Sequence, residues 1–154
     1  MKTIPLTQGQ VATVDDEDYE ALMQHSWCVL RHKRAWYAKR GSRSNGKQRT
    51  IYMHQDILGV FDQEIDHKDN NGLNNCRSNI RVCTSSQNKQ NRRRQLITSS
   101  RFKGVYWAKR NCKWVARIRT DGVQRHLGTF SNEVEAAQAY AKAAKFYFGE
   151  YAKT

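Results

Sequence analysis

The run HKDNNGLNN at residues 67–75 is the strongest single constraint on how this chain can fold. Asn, Asp and Gly favour turns, because their short side chains bond neighbouring backbone and tolerate left-handed dihedrals. Beyond the run, Ile80-Arg-Val-Cys83 alternates apolar and polar residues as a strand does. Residues 62–92 are therefore expected to form a β-hairpin with an irregular connection, followed by a helix.

On that frame Asp66 and His67 stand side by side, with Asn79 and Asn88 completing a D-H-x(11)-N-x(8)-N spacing. One carboxylate, one imidazole and two amides suit phosphodiester cleavage with a single divalent ion. A hard ion polarises the phosphoryl oxygen and stabilises the leaving 3′ oxygen. Carboxylate and amide oxygens are ligands that such an ion accepts. A neutral imidazole, with an ordinary pKa of about 6.5, deprotonates water near neutral pH. Neighbouring strand residues point to opposite sides, so serving one phosphate requires a local bend. A lone Asp-His pair would read as turn capping; the full spacing favours a nuclease site.

The stretch IDHKDNNGLNN…SNIRVCTSSQN resembles the HNH endonuclease family, whose site is a β-hairpin and helix around one metal ion, and agrees with its phage and intron-encoded branch. The resemblance implies that Asp66 is a metal ligand and His67 the general base. It implies that Asn79 holds the hairpin loop and orients the base. Asn88 would complete the metal site, at a position where many members carry His. The expected cofactor is one divalent ion, Mg2+ or Mn2+. His54 precedes the hairpin where many relatives have a histidine, and it either touches a phosphate or packs. Arg77 and Arg81 either meet the DNA backbone or a nearby carboxylate, or stand exposed and solvated.

Charge points to the same partner. The chain of 154 residues carries a formal net charge of +13, which suits a polyanion such as nucleic acid. Residues 1–88 hold 12 Lys or Arg against 10 Asp or Glu, whereas residues 89–154 hold 15 against 4. The first part is nearly neutral, and the second is the electrostatic anchor. Cys28, Cys76, Cys83 and Cys112 make no C-x-x-C pair, so no structural zinc is expected. Nothing reads as a signal peptide or membrane span, and a cytoplasmic setting in a bacterial host follows as an expectation.

Residues 89–100 lose apolar periodicity and gain Arg92, Arg93 and Arg94, a block suited to a phosphate backbone. Residues 93–100 are expected to be a basic linker, with domains at 1–92 and 101–154. From Phe102 three strands are expected, at 102–107, 113–120 and 124–130, then a helix capped by Ser131 with Ala136, Tyr140 and Ala144 along one side. In residues 113–119, Trp114, Ala116 and Ile118 alternate with Lys113, Val115, Arg117 and Arg119. One face would pack on the helix and the other present cations.

Phe102-Lys-Gly-Val-Tyr-Trp, Lys113-Trp-Val-Ala-Arg-Ile-Arg, His126-Leu-Gly-Thr-Phe and Glu135-Ala-Ala-Gln-Ala-Tyr resemble the APETALA2-type DNA-binding domain of plant ethylene-response factors, over about residues 101–152. That resemblance implies a sheet laid in the major groove, with Lys103, Tyr106, Arg110, Lys113, Arg117, Arg119, Gln124 and His126 as candidate contacts. The plant domains carry Arg where Tyr106 stands, Glu at the Arg117 position and Trp at the His126 position, and their loop at 108–112 is one residue shorter. The docking mode transfers; the target sequence does not.

The fold class expected is α+β: an N-terminal ββα-metal (HNH) nuclease domain, then a small three-stranded antiparallel sheet packed on one helix. The expected function is site-specific, homing-type cleavage of double-stranded DNA by a monomer or homodimer encoded by a phage or mobile element, with no membrane involved. The alternative is a DNA-binding regulator that keeps an inactive HNH fold.

Overall fold

The computed structural model describes residues 1–32, 35–44, 46–91 and 99–153. These form an α+β structure of small antiparallel sheets and four α-helices, in two compact units, Met1–Asn88 and Lys89–Thr154. No helix among the described residues is long and apolar enough to cross a membrane. Arg92, Arg93 and Arg94, and most of the expected linker, lie outside the described residues.

The first unit opens with strands β1 (Lys2–Pro5) and β2 (Val11–Val14), which pair antiparallel around Gln8 and Gly9, both at positive φ. Helix α1 (Asp16–Met23) carries Asp16, Glu17 and Asp18 in its first turn, where acids favour the positive end of the helix dipole. A three-stranded sheet follows: β3 (Cys28–His32), β4 (Ala35–Ser44) and β5 (Lys47–Tyr52), in that order. Strand β4 runs to Ser44, which faces Lys47 of β5. Helix α2 (Met53–Leu58), the hairpin β6 (Glu64–His67) and β7 (Ile80–Cys83), and helix α3 (Ser85–Asn91) complete the order.

Ile4, Ala12, Val14, Leu22, Trp27, Val29, Ala38, Met53, Ile57 and Ile80 are buried together. The Trp27 indole donates to the Leu22 carbonyl at 2.8 Å, so its polar atom is satisfied inside this core. The core therefore joins β1 and β2, the β3–β5 sheet and β7, and it supports the hairpin from one side.

In the second unit, β8 (Val105–Ala108), β9 (Lys113–Thr120) and β10 (Val123–Phe130) form one sheet with β9 in the centre. Helix α4 (Glu133–Phe148) packs on it through Ala136, Tyr140 and Ala144, against Val105, Ala116 and Ile118. The cap is Asn132, whose side chain accepts from the Val134 amide at 2.8 Å. Ser131 is not the cap; its hydroxyl accepts from Lys113 Nζ at 2.6 Å.

Gly104 sits at φ +72°, and a Cβ there would lie 2.1 Å from the Tyr140 ring and 2.7 Å from the Arg117 carbonyl. Gly104→Ala adds left-handed strain to overpacking, so the second unit is expected to lose about 2–4 kcal/mol. Denaturant unfolding checks this, and an unchanged midpoint would contradict the close approach.

Candidate functional site

Asp66 and His67 are the last two residues of β6. Their ladder to β7 is regular: Glu64 faces Cys83, Ile65 faces Val82, Asp66 faces Arg81, and His67 faces Ile80. The alternation therefore holds through His67, and the local bend expected within the strand is absent. The backbone turns only afterwards, where the Asn70 amide donates to the His67 carbonyl at 2.9 Å and Asn70 adopts φ 61°.

His67 lies on the inner face, 5 % exposed. Its Nε2 is 3.2 Å from Asn75 Oδ1, and Asn75 is fully buried. The Asn75 amide nitrogen is directed to the Gly72 carbonyl at 3.5 Å, which leaves the oxygen towards the imidazole. An amide oxygen only accepts, so this contact is a hydrogen bond in the tautomer whose proton is on Nε2, which leaves the lone pair on Nδ1. Around it the Tyr37 ring lies at 6.0 Å and the His54 ring at 5.0 Å between centroids. His54 stacks on Tyr52 at 5.4 Å, and among the described residues its buried Nδ1 has no hydrogen-bond partner. Gly72 permits this assembly, since a Cβ there would meet the Trp36 carbonyl at 2.3 Å and the Tyr37 ring at 2.6 Å.

Burial pushes the His54 imidazole down to about 3, with neighbouring His67 adding to the effect. Burial likewise lowers His67, against the opposing pull of the Asn75 hydrogen bond and of Asp69 and Asp66. Both rings are thus neutral at pH 7, the state in which an imidazole accepts a proton.

Asn79 is bonded within the loop. Its amide oxygen accepts from the Asp69 amide at 3.1 Å, and its nitrogen donates to Asp69 Oδ1 at 3.0 Å and to the Asn74 carbonyl at 2.7 Å. Burial opposes ionisation of Asp69, but bonds from Asn71, Asn74 and Asn79 outweigh it and hold that carboxyl below its usual range. Asn79 closes the loop; Asn75 is the residue against the imidazole. The sequence offered four asparagines between residues 70 and 75, and nothing in their spacing singled out Asn75.

The opposite face of β6 carries Glu64 and Asp66. Arg81 donates to Asp66 Oδ2 from Nε at 3.2 Å and Nη2 at 3.0 Å, with both side chains at most 10 % exposed. The Asn88 amide donates to Glu64 Oε2 at 2.9 Å, and the Ser85 hydroxyl donates to Glu64 Oε1. Glu64 is a residue the sequence reading missed, because it precedes the motif. Arg77 reaches Asp18 at 2.9 and 2.7 Å, Glu17 at 3.0 Å and the Ile57 carbonyl at 3.2 Å. Of the three roles weighed for Arg77 and Arg81, the structure displays the carboxylate one.

Among the described residues no group of three or more His, Cys, Asp or Glu is arranged around a metal position. The Asp66 carboxylate and Asn88 amide supply hard oxygen donors, and Glu64 adds another on the same strand face. That chemistry fits a magnesium-like ion, which keeps several waters and takes only one or two carboxylates. Cys83 shares this face, but burial and the nearby Asp66 and Glu64 push its thiol up to about 11, so it supplies no thiolate at neutral pH.

In the second unit, register puts Tyr106, Lys113, Val115, Arg117, Arg119, Gln124 and His126 on the sheet face away from α4, and Trp107 beside Trp114 on the helix side. Val115 is nevertheless buried, between Tyr106 and Thr129 in register. Arg117 lies 4.8 Å over the Tyr106 ring, and Arg119 Nε donates to the Gly122 carbonyl at 3.0 Å. His126 Nε2 lies 3.4 Å from the Thr129 hydroxyl. Gln124 and Arg110 are exposed. Lys103 differs from the rest: it is half-buried, donates to the Gln90 carbonyl, and is lowered to about 8 by burial with Lys153 adding. It is a packed residue rather than an open cation.

Over 88 residues the chain is 38 % identical to an uncharacterized HNH endonuclease of Acanthamoeba polyphaga mimivirus, covering 57 % of this chain and 44 % of the relative. Over 58 residues it is 43 % identical to an ethylene-responsive transcription factor-like protein of Arabidopsis thaliana, covering 36 % of this chain and 25 % of that protein. The chain thus spans less than half the length of either relative. No family model and no solved structure matches it.

The buried histidines give a pH dependence. Unfolded imidazoles protonate near pH 6.5 while the folded ones remain neutral, so the unfolded state binds the extra protons. Stability is therefore expected to fall as pH drops below about 6.5, by ~1.4 kcal/mol per pH unit for His54 down towards pH 3, with His67 adding in the same direction. Urea unfolding between about pH 7 and about pH 5 checks this, and His54→Phe should flatten the slope by one proton. An identical slope in that variant would show that His54 takes up its proton in the folded state.

Proposed function

We propose that this chain is a metal-dependent endonuclease acting on double-stranded DNA, directed to its site by the basic sheet of the second unit. The observation that carries the reading is that Asp66 and the neutral imidazole of His67 end β6 immediately before the chain turns, with the Asn88 amide bonded to Glu64 of the same strand; that turn, in place of a bend within β6, would let both residues reach one phosphate. Similarity to a viral protein named as an HNH endonuclease supports the cleavage part. Similarity to a plant transcription factor-like protein supports DNA binding by the second unit.

Asp66 and Asn88 would hold one divalent ion, Mg2+ or Mn2+, which when bound supplies Lewis-acid polarisation of the phosphate and charge neutralisation at the leaving oxygen. His67 Nδ1 is the atom that takes a proton from the attacking water. As the ring becomes cationic, its Nε2–H bond to Asn75 Oδ1 becomes charge-assisted and strengthens. Arg81 fixes the Asp66 carboxylate, and Asn79 fixes the loop from which Asn75 acts. The outward cations of β9, Arg117 and Arg119, would meet DNA in the groove or at its phosphates.

The test is incubation of supercoiled plasmid with the protein and Mg2+ or Mn2+. Nicking or linearisation that depends on the ion is expected, with His67→Ala slower by about 10²–10⁴-fold. Tight binding with no cleavage, across several DNAs and both ions, would favour the DNA-binding regulator instead. Arg119→Ala is expected to relax sequence preference, at ~1–3 kcal/mol for a base-edge contact. An unchanged footprint would remove Arg119 from the contact set.

A further inference from the structure

The near neutrality of the first unit conceals a separation of charge. Between Glu20 and Asp56 the sequence contains no Asp or Glu and eight Lys or Arg. The rest of residues 1–88 holds all ten acids against four cations. The acid-free segment contains the β3–β5 sheet, so one sheet of the unit is strongly positive while the remainder is negative.

The positive part has a distinct shape. Pairing of β3 with β4 ends at Cys28 opposite Lys39. Beyond it, β4 and β5 continue alone, with Arg40 facing Ile51, Ser42 facing Arg49, Arg43 facing Gln48 and Ser44 facing Lys47. Residues 42–50, SRSNGKQRT, contain no apolar side chain, and Arg43, Lys47, Gln48, Arg49 and Thr50 are all exposed. A two-stranded ribbon without an apolar face gains nothing from a core and is marginal on its own in water. Two of its cations are engaged within the unit: Arg40 is half-buried against Asp56 at 2.8 Å, and the exposed Arg49 lies 5.4 Å over the Phe61 ring.

The ribbon is also continuous with the candidate active site. Tyr37, Lys39, Gly41 and Arg43 lie on one face of β4 by alternation, and Tyr37 packs against His67. At a rise of ~3.3 Å per residue, Arg43 lies roughly 20 Å along the strand from Tyr37. That is less than one turn of duplex, about 34 Å. A major groove about 12 Å wide admits a two-stranded ribbon.

We infer that the β4–β5 ribbon is a second DNA-docking surface, in the cleaving unit itself, with Lys39 and Arg43 on the face continuous with Tyr37, and Lys47 and Arg49 on the other face in register with Ser44 and Ser42, meeting phosphates on the two sides of the groove next to the bond at His67. The inference rests on the DNA-cleaving reading above. It gives the first unit its own grip on the scissile segment, independent of the recognition sheet.

The experiment uses the full chain and its Arg43→Ala/Lys47→Ala variant, with Arg43→Lys/Lys47→Arg as the charge-preserving control. Affinity for a cleavable duplex is measured from ~50 to ~200 mM salt. Each phosphate contact contributes about −0.9 to the slope of log K against log salt. The alanine variant should therefore show a slope shallower by about 1.8, weaker binding, and lost protection of the DNA flanking the cut, while the control behaves as the parent. A parent with a steep slope and normal cleavage, alongside an alanine variant with the same slope and footprint, would overturn the inference and leave the nuclease reading standing. A parent with no salt-dependent duplex binding would overturn both. Preference of the ribbon for single-stranded RNA, seen as RNA displacing duplex from the parent but not from the alanine variant, would also overturn it.

Discussion

The connection between β6 and β7 is held by side-chain amides, and the geometry of the candidate active site depends on how they are tied. Asn79 closes the loop from within through Asp69 and Asn74. Backbone bonds then fasten the loop to β2: the Thr13 amide donates to the Leu73 carbonyl, and the Asn75 amide to the Thr13 carbonyl, each at 2.8 Å. That second bond fixes the backbone of the residue whose side chain meets His67. A mostly polar loop, with Leu73 packed against the core, is held by these bonds and by an anchor strand already buried through Ala12 and Val14. The close pass of Gly72 against β4 completes the enclosure.

The enclosure explains the protonation state of His67. A histidine at the surface would titrate close to neutral pH and be partly cationic there. In this unit desolvation outweighs the neighbouring carboxylates, and the ring remains a base. The Asn75 oxygen settles which nitrogen holds the proton. An acidic group in the same place would raise basicity but add a charge to a buried pocket. A neutral amide orients the ring without that cost.

Much of this architecture was readable in the residues, for reasons that differ by segment. The ends of β9 coincide with the sequence expectation because Trp114, Ala116 and Ile118 alternate with polar neighbours on a half-buried sheet. The end of the β4–β5 ribbon carries no such signal, because residues 42–50 are all polar or glycine and no alternation remains to mark them. Ser131 looked like a helix cap, but Lys113 engages its hydroxyl, and Asn132 is in place one residue later. The hairpin and the following helix were legible from turn chemistry and periodicity. Which asparagine faces the imidazole was not, because a run of Asn offers the same donors and acceptors at each position. Only docking of the loop on β2 distinguishes them. Arg77 was ambiguous for a similar reason: its carboxylates are some sixty residues away in sequence.

The Asp66–Arg81 pair is the hardest feature to explain by stability alone. Both side chains are nearly buried, and withdrawing two charges from water costs about as much as their attraction returns. An apolar pair of similar volume across β6 and β7 would hold the hairpin as well or better. The neighbouring cross-strand pair Ile65–Val82 shows that this hairpin accommodates such residues. An ion pair kept at a position that apolar residues could fill is better understood as a way to present a carboxylate of fixed orientation. The same face carries Glu64 with Asn88 bound to it, so three oxygen-bearing side chains are placed by hydrogen bonds rather than by packing. Placement of that kind costs stability and yields directional lone pairs, which is what an oxygen-coordinated cation requires of the protein around it.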